Sequence, residues 1–174
     1  MRKLIGYLIL PLLCFTAIGC FNNRITKAYD FSGAQLVLDE KDIVIRAALL
    51  GASIPGEKED GLMVIIRSSP YSLSFFLTSS TGYYREAKVS NVMVLTEKNK
   101  NILPKPPETA AGKFSETPAG NIARVSFNNL PLPYEKLFLT ADVELLTKAN
   151  SIIKQPIQFF FEPTYSEEKS SVTE

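Results

Sequence analysis

The sequence has 174 residues, of which 45% are hydrophobic and 21% charged, as in an ordinary globular protein. Its 19 basic and 18 acidic residues nearly balance, so nothing in the charge favours nucleic-acid binding or a disordered acidic chain. The absence of histidine excludes Ser-His-Asp and Cys-His catalysis in their usual form, together with every histidine-ligated metal site.

The N-terminus has the pattern of a secretory signal. Arg2 and Lys3 form a short positive region, and residues 4–18 are uncharged and mostly apolar. A membrane-spanning helix needs ~20 apolar residues, so this run fits the hydrophobic region of a signal peptide better than a span.

The signal ends in Ala17-Ile18-Gly19-Cys20. This tetrapeptide resembles the lipobox of bacterial lipoproteins, in which two aliphatic or small residues precede Gly or Ala and then Cys. The resemblance is confined to the signal segment, residues 1–19, and Cys20. It implies cleavage before Cys20, a diacylglycerol on its thiol and acylation of its new amino group. Two or three acyl chains anchor a protein stably, because a single chain binds a membrane only marginally.

The residue after the lipidated cysteine bears on which membrane is used. In well-studied Gram-negative lipoproteins an Asp there retains the protein in the inner membrane, and this chain has Phe21. The resemblance therefore favours the periplasmic face of the outer membrane over the inner membrane or the exterior surface. Cys14 would leave with the signal, so no disulfide is expected within the mature chain.

After a short lipidated tether at residues 20–29, apolar and polar residues alternate in short runs. These runs are rich in Val, Ile, Phe and Tyr and are broken by turn residues, as in half-buried strands. The predicted strands are residues 35–38, 43–50, 62–68, 73–78, 87–96, 122–127, 135–146 and 152–162. The apolar phase slips at Ser90-Asn91, which predicts a β-bulge there.

Two segments lack this alternation. Residues 97–120 contain four prolines and predict a long mobile loop. Residues 163–174 are polar and predict a disordered tail. About eight strands and no amphipathic helix predict an antiparallel β-sandwich of immunoglobulin-like type over residues 30–162, with a closed barrel as the alternative.

The residues give little support for an enzyme, a cofactor or a metal ion. Ser151 and Lys154 have the Ser-x-x-Lys spacing of penicillin-binding enzymes, but a strand turns them to opposite faces. Asp142 and Glu144 share a strand face about 7 Å apart, which leaves carboxylate-based glycan hydrolysis open. Glycine-rich phosphate loops and Cys-x-x-Cys pairs do not occur.

Three aromatic rings are candidates for a partner-binding surface. Phe76, Phe138 and Phe160 point outward when their strand neighbours point inward. If they cluster, they form an apolar patch for a protein or lipid partner, and otherwise both faces of their strands are buried.

The sequence therefore predicts a membrane-anchored bacterial lipoprotein. Its β-sandwich would act as a non-enzymatic binding or scaffold module for an envelope protein, without nucleic acid. Two other functions stay open: a periplasmic carrier that holds a hydrophobic ligand between the sheets, and a carboxylate-based envelope glycan hydrolase.

Overall fold

A computed structural model describes residues 22–38, 43–98, 100–103 and 109–172. The predicted signal segment, Cys20 and Phe21 lie outside these residues. The described chain forms eleven strands: β1 (Asn22–Phe31), β2 (Ala34–Leu38), β3 (Ile43–Pro55), β4 (Met63–Ser79), β5 (Tyr84–Thr96), β6 (Ala110–Lys113), β7 (Ser115–Thr117), β8 (Gly120–Leu130), β9 (Leu137–Thr147), β10 (Ile152–Phe161) and β11 (Pro163–Val172).

The strands form two sheets that pack face to face. In the body of the first sheet the neighbours run β7-β8-β4-β3-β2, and in the second they run β6-β5-β9-β10. Every pair within these two series is antiparallel. The predicted antiparallel β-sandwich is confirmed.

The core lies between the sheets and follows from the alternation of side chains. Along β9, Leu137, Leu139 and Val143 are buried, whereas Phe138 between them is exposed. The facing sheet contributes residues of the same kind, among them Ile45. Because successive side chains of a strand point to opposite faces, each sheet offers one apolar face to the other.

Two irregularities of the strands differ in how well the sequence predicted them. The expected bulge at Ser90-Asn91 is confirmed, because the β5–β9 register shifts between Ser90 and Met93. The prediction of two separate strands at residues 62–68 and 73–78 is wrong, because β4 is one continuous strand through Pro70. The register of β4 with β3 shifts at this point, because Gly51 pairs with Tyr71 and the next residue, Ala52, pairs with Ser68. The strand therefore stays in the sheet on both sides of Pro70.

Most of the segments predicted as a tether and a disordered tail form strands, which corrects both predictions. β1 occupies residues 22–31, and β11 occupies residues 163–172 and pairs with it antiparallel over ten positions. The side chains of residues 164–169 are exposed, so β11 is held mainly by its backbone. Hydropathy does not report backbone pairing, and the sequence pattern therefore missed this strand.

The predicted loop at residues 97–120 also contains structure. β6 pairs with the start of β5, and β7 pairs with the start of β8. Both strands are short and lie at sheet edges. Four and three residues are too few to show a periodic pattern, which explains why sequence reasoning read the whole segment as a loop.

The first sheet extends beyond the sandwich as a four-stranded stalk. We use this name for β11, β1, residues 63–67 of β4 and residues 52–55 of β3. Ile25, Ala28 and Val64 are buried there, separately from the main core. Because β1 runs parallel to β4, the start of β1 lies at the same end as the β3–β4 turn.

Candidate functional site

Phe138 and Phe160 form an exposed pair on the outer face of the second sheet. They are directly opposite one another on β9 and β10, with ring centroids 4.9 Å apart. The two residues are 42% and 41% exposed. Leu95 of β5 lies opposite Phe138. Met93, two residues before Leu95 on the same face of β5, is also 42% exposed. We call these four residues the aromatic patch.

Charged and polar side chains border the aromatic patch. At one side the Lys136 Nζ lies 3.9 Å from a Glu97 carboxylate oxygen and 3.7 Å from a Glu162 carboxylate oxygen. At the other side the Asn91 amide donates a 2.7 Å hydrogen bond to Asp142. These exposed pairs add little stability, so their main contribution is a polar rim around an apolar centre, the usual anatomy of a protein interface.

Phe76 lies on the outer face of the first sheet and does not join the other two rings. Its strand position is opposite Arg46 on one side and Arg124 on the other. The Arg124 guanidinium stands 5.4 Å from the centroid of the Phe76 ring. The outer faces of the two sheets point in opposite directions, so the structure brings Phe138 and Phe160 together and separates Phe76 from them.

A concave site opens beside Phe76. Its volume is about 560 Å³, and the residues around it are Gly33, Ala34, Gln35, Arg46, Ala47, Ala48, Phe76, Thr78 and Ile122. Sequence reasoning missed both arginines of this surface. Each is separated from Phe76 by a long stretch of chain, and only the strand register places them on either side of one ring.

This cavity is not the internal one that a carrier between the sheets would need. The space between the sheets around Phe75 is filled by aromatic rings. The Phe75 and Phe159 centroids are 6.1 Å apart, and those of Phe159 and Phe161 are 6.4 Å apart. A hydrophobic ligand would have to displace these side chains from a close-packed interior.

The carboxylates considered for hydrolysis are engaged in other contacts. The Lys154 ammonium donates a 2.6 Å hydrogen bond to Glu144, and Lys88 lies 3.9 Å from the same carboxylate. The hydrogen bond from Lys154 is the main reason that the pKa of Glu144 is lowered. A general acid in glycoside hydrolysis needs a raised pKa, so Glu144 is poorly suited to that role.

Metal and membrane-helix features can be assessed for the described ranges. Within them, no three side chains of the His, Cys, Asp and Glu types come together as a metal site. Likewise, no helix in that part of the chain is long and apolar enough to cross a membrane. Comparisons with protein-family models, curated proteins and solved structures find no match to this chain.

Proposed function

We propose that this protein is a lipid-anchored module of the bacterial envelope that binds a protein partner and performs no catalysis. Its body would be an immunoglobulin-like domain. In such domains strands A, B, E and D are neighbours in one sheet and C, F and G in the other. The neighbour order β3-β4-β8-β7 corresponds to the first series and β5-β9-β10 to the second, with β6 added beside β5.

The stalk supports a close attachment to the membrane. β1 begins at Asn22, and two residues of extended chain span at most about 7 Å. Lipid on Cys20 would therefore join the sheet almost directly, without the flexible tether that the polar composition of residues 21–29 suggested. The sandwich would then be held at a set height above the surface, because β1 is hydrogen-bonded on both sides, to β4 and β11.

The aromatic patch is the observation that carries the binding proposal. Aromatic residues are enriched in protein interfaces, and a few residues near the centre supply most of the binding energy of many of them. Phe138 and Phe160 are in contact, are partly exposed and lie inside a polar rim. The engaged Glu144 and the filled interior favour this function over the hydrolase and the carrier.

The anchor and the patch are tested separately in the producing cell. Cys20→Ser should remove the lipid mass and release the protein from the membrane fraction. Retention of both the mass of the wild-type protein and its membrane association would contradict lipidation at this residue.

For the patch, a photo-cross-linking residue is placed at position 160 and, as a control, at Val37, which is 60% exposed on the other sheet. We expect a discrete cross-linked protein from position 160 alone, and its loss in Phe138→Ser. Equal products from both positions, or a product that Phe138→Ser leaves unchanged, would contradict binding through the aromatic patch.

A further inference from the structure

The outer face of the first sheet has a row of residues with a definite chemical pattern. Across β2, β3, β4 and β8 the register aligns Gln35, Arg46, Phe76 and Arg124. Adjacent strands lie about 4.8 Å apart, so the two arginine backbones flank the Phe76 ring at a separation of about 10 Å. One apolar ring thus lies between two permanent positive charges.

Neutral groups orient both arginines. The Arg124 Nε donates to the Ser126 hydroxyl at 3.1 Å, and one of its terminal nitrogens donates to the Ser74 hydroxyl at 3.3 Å. The Arg46 Nε donates to the Gln35 side-chain oxygen at 3.1 Å. Within the described chain neither guanidinium forms an ion pair. Each therefore has N–H donors left for an anion and a charge that no carboxylate of the described residues neutralises.

The four strands that carry this row contribute no negative charge, and the nearest acidic residue on a neighbouring strand is Glu116 of β7, opposite Asn121 at the start of β8. β2, β3, β4 and β8 contain no aspartate and no glutamate. The cavity of about 560 Å³ beside the arginines has small and apolar side chains along it, including Ala34, Ala48 and Ile122. This volume is within the ~300–1,000 Å³ of small-molecule sites.

We propose that this cavity binds a single anionic amphiphile, a molecule with a carboxylate or phosphate head and an apolar chain. The head would accept hydrogen bonds from Arg46 and Arg124, and the apolar part would cover Phe76, Ala48 and Ile122. A flat bilayer cannot enter a concave site, so the ligand is one molecule and not a membrane surface. The site lies on the sheet opposite the aromatic patch, so it is additional to the proposed partner-binding function.

Direct binding can be measured because the chain contains no tryptophan. Phe76→Trp in the full chain, reconstituted in phosphatidylcholine vesicles, places a single fluorescent reporter between the arginines. Titration with octyl phosphate should change the tryptophan emission saturably. Octyltrimethylammonium and inorganic phosphate should have little effect, because one lacks the negative charge and the other lacks the apolar chain.

Substitutions distinguish the contribution of the arginine charges to octyl phosphate binding from the contribution of the cavity. Arg46→Gln and Arg124→Gln should each weaken octyl phosphate binding about tenfold, as expected for a charged hydrogen bond. The Arg46→Lys plus Arg124→Lys double variant keeps the charges and should lose less. Ala48→Phe keeps both arginines but fills the cavity and should abolish the signal. Thermal unfolding of each variant checks that the fold is retained.

Four results would overturn the proposal. They are no saturable emission change, unchanged affinity in the two glutamine variants, equal binding of octyltrimethylammonium, and unchanged affinity in Ala48→Phe. A fifth is an emission change that occurs only when phosphatidylglycerol replaces phosphatidylcholine in the vesicles, since that would identify an anionic membrane surface as the ligand. None of these results depends on the aromatic patch or on a protein partner.

Discussion

Gly112→Ala tests how the edge of the sandwich closes. Gly112 lies on β6 of the second sheet, where this strand approaches β8 of the first. A Cβ atom added at Gly112 would stand 2.2 Å from the Arg124 carbonyl oxygen and 2.9 Å from its carbonyl carbon. Carbon–oxygen contacts between backbones are normally about 3.3 Å or longer. The two strands would therefore have to separate by about 1 Å.

The cost follows from the nature of the obstacle. Overpacking usually destabilises by about 1–3 kcal/mol, and the low end applies where a side chain can rotate away. Here the obstacle is backbone, so we expect about 3 kcal/mol. In a chain of this length that lowers the melting temperature by roughly 6–12 °C.

Gly33→Ala is the matched control for this substitution. No atom lies within 4 Å of a Cβ added at Gly33, and its φ is not positive. The control should be neutral or up to about 1 kcal/mol more stable, because alanine restricts the unfolded chain. Urea unfolding and thermal melts by circular dichroism measure both variants. A Gly112→Ala stability within about 0.5 kcal/mol of Gly33→Ala would refute the close approach of β6 and β8.

Two further predictions concern packing and pH. Phe161→Ala should lower the free energy of unfolding in urea by about 3–5 kcal/mol, because the Phe161 ring is fully buried. Phe160→Ala should lower it by about 1 kcal/mol or less, because the Phe160 ring is exposed. Equal losses would contradict the assigned strand faces. Burial, with a smaller effect from Asp30, raises the pKa of Tyr71 to about 12. The pKa of a tyrosine in the unfolded chain is about 10. The contribution of neutral Tyr71 to the free energy of unfolding should therefore be complete below pH ~10 and be lost as the pH rises toward ~12. Tyr71→Phe should remove this part of the alkaline stability loss, and an identical profile in both proteins would show that Tyr71 does not contribute.

The strands with strict alternation were predictable from the sequence, because their buried residues are apolar and occupy every second position. In β9, each inward position from Leu137 to Leu145 is apolar, and this pattern predicts a strand over residues 135–146. The bulge at Ser90-Asn91 is predictable in the same way, because an extra residue shifts the phase of the pattern.

The strands that the sequence did not predict lack that signal. β11 is held through backbone pairing with β1, and its exposed polar side chains resemble those of a tail. β1 itself buries Ile25, Ala28 and Phe31, whose spacing of three residues does not match the period of a strand. Its assignment depends on its two neighbours, which come from distant parts of the chain.

For the candidate site, the sequence predicted the direction of the aromatic rings but not which residues lie beside them. Sequence alternation was enough to mark Phe76, Phe138 and Phe160 as outward-facing rings, since direction is a property of a single strand. Whether outward rings meet depends on which strands are neighbours and in what register. Pairing of β9 with β10 joined Phe138 to Phe160, and pairing of β3, β4 and β8 placed Phe76 between two arginines.

The sequence by itself determined the all-β class, the apolar faces of the main strands and the lipobox-like tetrapeptide that ends at Cys20. These are local features, readable from residue type and spacing over a few positions. Tertiary structure alone decided the stalk, the division of the rings between two faces and the cavity flanked by Arg46 and Arg124. These depend on hydrogen-bonded register between strands far apart in the chain, which no local pattern specifies.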